Sequence, residues 1–178
     1  SPGVLIKQYY AEYIHMPLQL IGENSQCNHM EAYNCTGDAF QLCGNRTRLE
    51  SAKINGLLKI RPYEQEHLDV GMIFPKHPRR LIKNAYVGNV KLVRSGHPWE
   101  DPQPQGIIAP DDTCQDCLVE TCELMGVNLE HGVRFGHAIN CTIKNVKSSG
   151  AVAFGDRKQH RVGQGNRIIN CESPLCCF

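Results

Sequence analysis

No stretch of about 18 apolar residues occurs in the chain, so no helix long and apolar enough to cross a membrane is expected. A charge surplus of one sign is also missing. Nineteen basic against 18 acidic residues leave a formal net charge of +1, whereas a surface that tracks phosphates needs a large basic excess. Nucleic acid is therefore not an expected partner. No glycine-rich phosphate cradle is present, because Gly163-Gln164-Gly165 lacks the strand-to-helix context such a loop requires. No Gly-x-Ser-x-Gly nucleophile elbow occurs either. Charged residues make up only 21% of the chain and hydrophobic residues 41%, which excludes a disordered polymer. At 178 residues the chain can bury a core as one domain or two small ones. Aromatics are few at 7%, with a single tryptophan, Trp99.

Cysteine, by contrast, is plentiful. Ten residues, an even number, suit five disulfides, and disulfides persist in oxidising surroundings. Three acceptor sequons point the same way, at Asn34, Asn45 and Asn140. The expectation is a secreted, extracellular glycoprotein, and the start at Ser1-Pro2 without an apolar leader reads as a processed chain. The run Cys114-x2-Cys117-x4-Cys122, with His131 and His137 downstream, has zinc-like spacing but no convincing fourth ligand. Disulfide staples are expected there and no metal. Cys141 near His137 could be drawn as a nucleophile pair, but an oxidised chain with paired cysteines leaves no thiolate for it.

The segment Val4–Leu20 carries Tyr9, Tyr10, Tyr13, Ile14 and Leu18 at spacings that suit a short amphipathic helix stopped near Pro17. Residues 21–48, with three cysteines and two sequons, read as a loop-rich, disulfide-pinned cap. The composition changes near Leu49, and residues 49–178 read as a β-rich domain of short apolar runs bounded by Gly, Pro and Asn. His97-Pro98-Trp99-Glu100-Asp101-Pro102-Gln103-Pro104 holds three prolines and must be a loop. Its tryptophan is a candidate contact residue, or else a lid on the core.

The most informative pattern is an internal repeat. Cys117–Cys122, Cys141–Val146 and Asn166–Cys171 start 24 and then 25 residues apart and keep apolar residues at the third and sixth places. A second short block precedes each: Gly106–Ala109, Gly132–Phe135 and Ala151–Phe154. Gly71–Phe74 followed by Leu81–Tyr86 echoes the unit with poorer spacing. Two short strands per unit suggest a right-handed parallel β-solenoid with a short N-terminal helix and a Cys-rich cap. Val119, Ile143 and Ile168 would then form one ladder, and Cys122, Val146 and Cys171 another. Cys117 and Cys141 would stack about 5 Å apart, within reach of a disulfide. One or two small antiparallel sandwich or barrel domains are the alternative.

Residues 111–150 resemble part of a polygalacturonase, in the right-handed parallel β-helix, pectin-lyase-like group. The residues that carry the likeness are Asp111-Asp112, then His131-Gly132 followed by Val-Arg-Phe-Gly136, then Asn140-Cys-Thr-Ile-Lys-Asn145. The resemblance implies that Asp111, Asp112 and His131 line a cleft and hydrolyse acidic sugars by acid/base chemistry. The chain departs from the pattern: no Asn-Thr-Asp lies one repeat upstream, and Arg167-Ile168-Ile169 stands where Arg-Ile-Lys would follow. It is also about half the length of such enzymes. A lyase variant would add Ca2+ held by carboxylates such as Asp116, Glu120 and Glu123, with Arg134 as base. A turn-forming aspartate pair after Pro110 accounts for Asp111 and Asp112 without catalysis.

Charge is unevenly placed despite its near-zero sum. Lys144, Lys147, Arg157, Lys158, His160 and Arg161 gather within 18 residues, and an acidic stretch runs from Glu100 to Glu123. Such polarity favours recognition of an acidic glycan or an acidic protein surface. Two functions follow as expectations. The first is a secreted recognition protein of the host-interaction effector or extracellular-ligand type, binding a glycan or protein through Trp99, Arg134 and the basic group. The second is a hydrolase or lyase acting on an acidic polysaccharide such as polygalacturonate.

Overall fold

The computed structural model describes residues 3–59, 67–75, 81–110, 113–155 and 163–177. Among these, the regular structure is strand, and every pairing between strands of the three sheets is parallel. The antiparallel sandwich or barrel is thus not the arrangement; one isolated antiparallel bridge, Leu58 to Glu100, is the exception.

The longest sheet has eleven strands. The chain enters it as Leu5–Glu12 and Gln26–Cys35. It returns as Arg48–Leu49 with Ala52–Leu57, then Tyr86–Gly88 with Val90–Val93. It returns again as Leu118–Glu120 with Glu123–Leu124, as Thr142–Lys144 with Lys147–Ser148, and last as Arg167–Ile169. Between visits it crosses to a seven-stranded sheet of Leu18–Leu20, Phe40–Leu42, Asp69–Ile73, Gln105–Ala109, Val133–Phe135, Val152–Phe154 and Cys176–Cys177. Ile82–Lys83 and Cys114–Gln115 form a third, two-stranded sheet.

Register follows the expected ladder and extends it. Val119 pairs with Ile143 and Ile143 with Ile168. In the other direction the same row continues through Val87, Leu49 and Cys27 to Ile6. Glu123 pairs with Lys147, and Lys147 bridges to Glu172, so Cys122, Val146 and Cys171 one residue earlier follow in step. The earlier echo at Gly71–Tyr86 slips out of register. Gly71 pairs with Ile107 and Tyr86 with Leu118, while Ile82 sits beside Cys114. The reason is length: successive visits separated by 24 or 25 residues late in the chain are 38 and then 32 apart earlier, from Leu49 to Val87 to Val119. Inserted connections there hide the repeat.

Corners repeat as well. Asn24, Arg46, Asn84, Asp116 and Asn140 take left-handed backbone with φ between 52° and 58° just before successive returns to the long sheet, and Gly165 does so at φ 70° before the last. Asn89, Thr121, Asn145 and Asn170 do the same at the bend that splits its strands. Asparagine tolerates this region better than most L-residues, which explains its recurrence at these offsets.

No N-terminal helix forms. Leu5–Glu12 is a strand paired with Gln26–Tyr33, and Leu18–Leu20 joins the second sheet. The tyrosine spacing fits a helical face, but parallel pairing along seven residue pairs satisfies the backbone of this segment and wins. The expected boundary near Leu49 falls inside the strand Arg48–Leu49, which pairs on both sides, so the long sheet is continuous across it. Residues 21–48 supply strands instead of a loop-rich cap.

Among the described residues eight cysteines have free thiols, Cys117 and Cys141 among them. These two do occupy equivalent places on successive passes, with the Cys117 amide donating to Cys141 Sγ at 3.4 Å. The expected bond between them is not formed. In-register strands hold their Cβ atoms near the strand spacing of about 4.8 Å, whereas a cystine needs about 3.8 Å. Burial pushes the Cys35 and Cys122 thiols up to about 12, so neither is a thiolate at neutral pH.

Outward-facing residues of the long sheet form charged rows. Lys91 meets Glu123 at 3.2 Å, and Lys147 meets Glu172 at 3.3 Å. Glu120 faces outward: it binds Lys144 at 2.8 Å and accepts the Tyr86 hydroxyl at 3.0 Å. Arg48 lies 4.2 Å from the Tyr86 ring centre. The Lys144 ammonium, aided by the Tyr86 hydroxyl, lowers the Glu120 carboxyl from its ordinary value. A depressed carboxyl adds stability that is fully present above its unfolded pKa of about 4.3 and is lost as pH falls through the folded value. Because Glu120 is a surface group, its contribution is at most about 1 kcal/mol. Thermal melts from pH 7 to pH 3 should therefore fall less steeply below about pH 4.3 in Glu120→Gln than in the native chain.

Candidate functional site

The proline-rich segment is a loop, as its sequence requires, but an anchored one. Leu58 bridges to Glu100, the Lys59 amide donates to the Trp99 carbonyl at 2.9 Å, and the Asp101 amide donates to the Leu57 carbonyl at 2.8 Å. Asp101 is fully buried, and its carboxylate accepts the amides of Leu68 and Gln103, both at 3.0 Å. Glu100 caps the amides of Ser95 and Gly96 and pairs with Arg94 at 3.3 Å. A buried carboxylate with two amide donors is a stable pin, since the charge is desolvated but satisfied.

The pinned loop leaves Trp99 61% exposed, so this side chain is not a lid on the core. Its amide donates to His97 Nδ1 at 3.1 Å, which fixes the imidazole ring. The ring centres of His97 and Trp99 are 6.0 Å apart, and His97 lies 6.5 Å from Tyr13, itself 56% exposed. Tyr13 belongs to the first turn of the chain, some 84 residues away, and sits at a left-handed corner with φ 54°. Two exposed rings, Tyr13 and Trp99, thus flank the half-buried His97. The sequence singled out Trp99; it missed Tyr13 and His97, because the loop folds back along the stack to reach the first pass.

A second site lies on the seven-stranded sheet. Gln105, Ile108, Ala109, Pro110, His131, Arg134 and Gly136 line an open pocket of about 240 Å3. Arg134 Nη1 donates to His131 Nε2 at 3.1 Å, and Arg134 Nε and Nη2 donate to the Gly155 carbonyl at 3.4 and 3.3 Å. A guanidinium keeps its protons at any accessible pH, so Nε2 of His131 is the acceptor. His131 and Arg134 are brought together. Asp111 and Asp112 follow Pro110 in sequence but lie outside the described residues, as do Arg157, Lys158, His160 and Arg161.

The expected basic group divides. Lys144 and Lys147 sit on the long sheet and are committed to Glu120 and Glu172. Of the carboxylates expected for Ca2+, Glu120 is held by Lys144 and Tyr86 and Glu123 by Lys91, and Asp116 lies at a left-handed corner. Among the described residues no group of three or more His, Cys, Asp or Glu side chains is placed to hold a metal ion. Of the three sequon asparagines, Asn140 is exposed. Asn45 is engaged, accepting the Lys83 amide at 2.9 Å and donating to Glu23 at 3.3 Å. Asn34 has its Oδ1 buried.

Comparison with protein-family models, with curated proteins and with solved structures returns no match to this chain. The functional argument therefore rests on the two surfaces just described.

Proposed function

We propose that the chain is a secreted recognition protein built as a right-handed parallel β-solenoid, and that its partner is a glycan. In-register parallel pairing along the row from Ile6 to Ile168 supports the solenoid, and parallel crossover connections are right-handed almost without exception. Three sequons in the sequence support secretion, with Asn140 the most accessible acceptor. Such a protein acts outside the cell as a host-interaction effector or an extracellular ligand.

The observation that carries the glycan reading is the row of Tyr13, His97 and Trp99, with the two outer rings exposed. Flat rings with one polar edge bind ligands that offer both apolar faces and hydroxyls, as pyranose rings do. Pinning by Asp101 and Glu100 lowers the entropy lost on binding. Because Trp99 is the sole tryptophan, its fluorescence reports on this surface alone. Titration with soluble oligosaccharides should give a saturable change in emission. By calorimetry, Trp99→Ala should lose at least about 2 kcal/mol of binding, roughly 30-fold. Saturable glycan binding that survives Trp99→Ala unchanged would remove the aromatic row from the account.

One observation favours a second reading, hydrolysis or elimination on an acidic polysaccharide: the His131–Arg134 pocket beside Pro110. Arg134 offers a charge for a uronate carboxylate. His131 would serve as the proton-transfer group, with Asp111 or Asp112 in the acid/base role that the polygalacturonase likeness implies. Incubation with polygalacturonate, with and without Ca2+, should then release reducing ends or unsaturated products, abolished by Asp112→Ala and His131→Ala. Absence of any product ends this reading.

A further inference from the structure

The outer face of the long sheet carries, at its first strand, an open pocket of about 310 Å3 lined by Gln8, Tyr9, Tyr10, His29 and Glu31. Register builds it, since Gln8 lies beside His29 and Tyr10 beside Glu31. Glu31 is its chemical centre. One carboxylate oxygen accepts the Tyr33 hydroxyl at 2.8 Å, and the other lies 3.3 Å from His29 Nε2. The Tyr33 and His29 hydrogen bonds hold the Glu31 carboxyl below its ordinary value. A carboxylate has about four acceptor positions, so two remain for a ligand.

The surroundings are aromatic and acidic. Tyr10 is 62% exposed, and its ring centre is 5.3 Å from that of Tyr33. Its hydroxyl donates to a second carboxylate, Glu12, at 3.2 Å. A cation already uses this chemistry on the neighbouring pass: Lys53, paired with Glu31 in register, places its ammonium 6.0 Å from the Tyr33 ring. A carboxylate with open acceptor positions beside tyrosine faces attracts cations and repels anions. An N–H-bearing ammonium can use those positions; a quaternary one cannot. Gln8 and the His29 ring add polar groups suited to hydroxyls.

We infer that this pocket binds the primary ammonium group of an amino sugar. The inference deepens the glycan reading but uses a surface separate from the Tyr13–His97–Trp99 row. Calorimetry at about pH 6, where a carboxylate is ionised and an amine protonated, compares three probes: a glucosamine tetramer, its N-acetylated counterpart and Nα-acetyl-lysine amide. The deacetylated tetramer should bind at least about tenfold tighter than the acetylated one, the margin of a charge-assisted over a neutral hydrogen bond. Glu31→Gln should erase that preference, and Tyr10→Ala, at an exposed position, should weaken the deacetylated tetramer while leaving the melting temperature unchanged. Trp99→Ala should weaken both tetramers alike and leave their ratio intact; if it changes neither, the aromatic row fails while the ammonium pocket stands. Equal affinity for the two tetramers, no binding of the deacetylated one, or a preference that survives Glu31→Gln overturns the inference. Binding of the lysine amide as tight as that of the tetramer also overturns it, in favour of a basic peptide.

Discussion

Phe40→Ala is expected to destabilise the protein by about 3–5 kcal/mol, and Gly71→Leu by about 1–3 kcal/mol or more. The pair combined should cost clearly less than the sum. Phe40 is fully buried and pairs directly with Gly71 on the next pass. A Cβ on Gly71 would be driven into the Phe40 ring. The backbone at Gly71 is not left-handed, so the penalty is steric and not conformational. Removing the ring opens the space that a leucine needs, and a coupling of more than about 1 kcal/mol is the signature of residues in contact. Denaturant titration of the four proteins gives the cycle. Additive costs would mean that the two residues do not face each other across adjacent strands.

The second large effect concerns the row Val119, Ile143 and Ile168. Ile143→Ala should cost about 2–5 kcal/mol, since this side chain is fully buried between its two neighbours. Ile168→Ala should cost markedly less, because Ile168 is only partly buried at the end of the row. The ordering matters more than either value. In a stack, each strand covers the one before, so apolar burial falls at the last strand. Equal costs at Ile143 and Ile168 would contradict that arrangement.

The C-terminal half was legible in the sequence because its repeat is short and uninterrupted. Spacings of 24 and 25 residues put Val119, Ile143 and Ile168 at matching places, and the structure pairs them. The first half was not legible for two physical reasons. Connections of different length separate Cys27, Leu49 and Val87, so no fixed period survives. The tyrosines of the first strand also fit a helical face, and periodicity over so short a segment does not distinguish the two. The corner signal was readable but unused: asparagine two residues before Gln26, Tyr86 and Thr142 marks left-handed turns that recur with the strands.

The candidate sites were legible in proportion to their locality. Trp99 stood out as a lone tryptophan among prolines, and its exposure follows from the loop's anchoring on Leu57–Lys59. Tyr13 and His97 became its neighbours only through folding. Glu31 is mixed: its hydrogen-bond partners His29 and Tyr33 lie two residues away on its own strand, while Tyr10 joins them only through pairing with the preceding pass. Lys144 and Lys147 misled in the other direction. They looked like part of a basic patch because neighbours in sequence were counted, while their acids lie one strand away.

The stacked parallel register is the claim on which both surfaces depend, and zero-length carbodiimide cross-linking of the native protein, mapped by mass spectrometry, tests it most directly. The expected isopeptide bonds join Lys144 to Glu120, Lys91 to Glu123 and Lys147 to Glu172, whose charged groups lie 2.8, 3.2 and 3.3 Å apart on adjacent strands. Cross-links that instead tie these three lysines to other carboxylates, with none of the three expected pairs formed, would contradict the register.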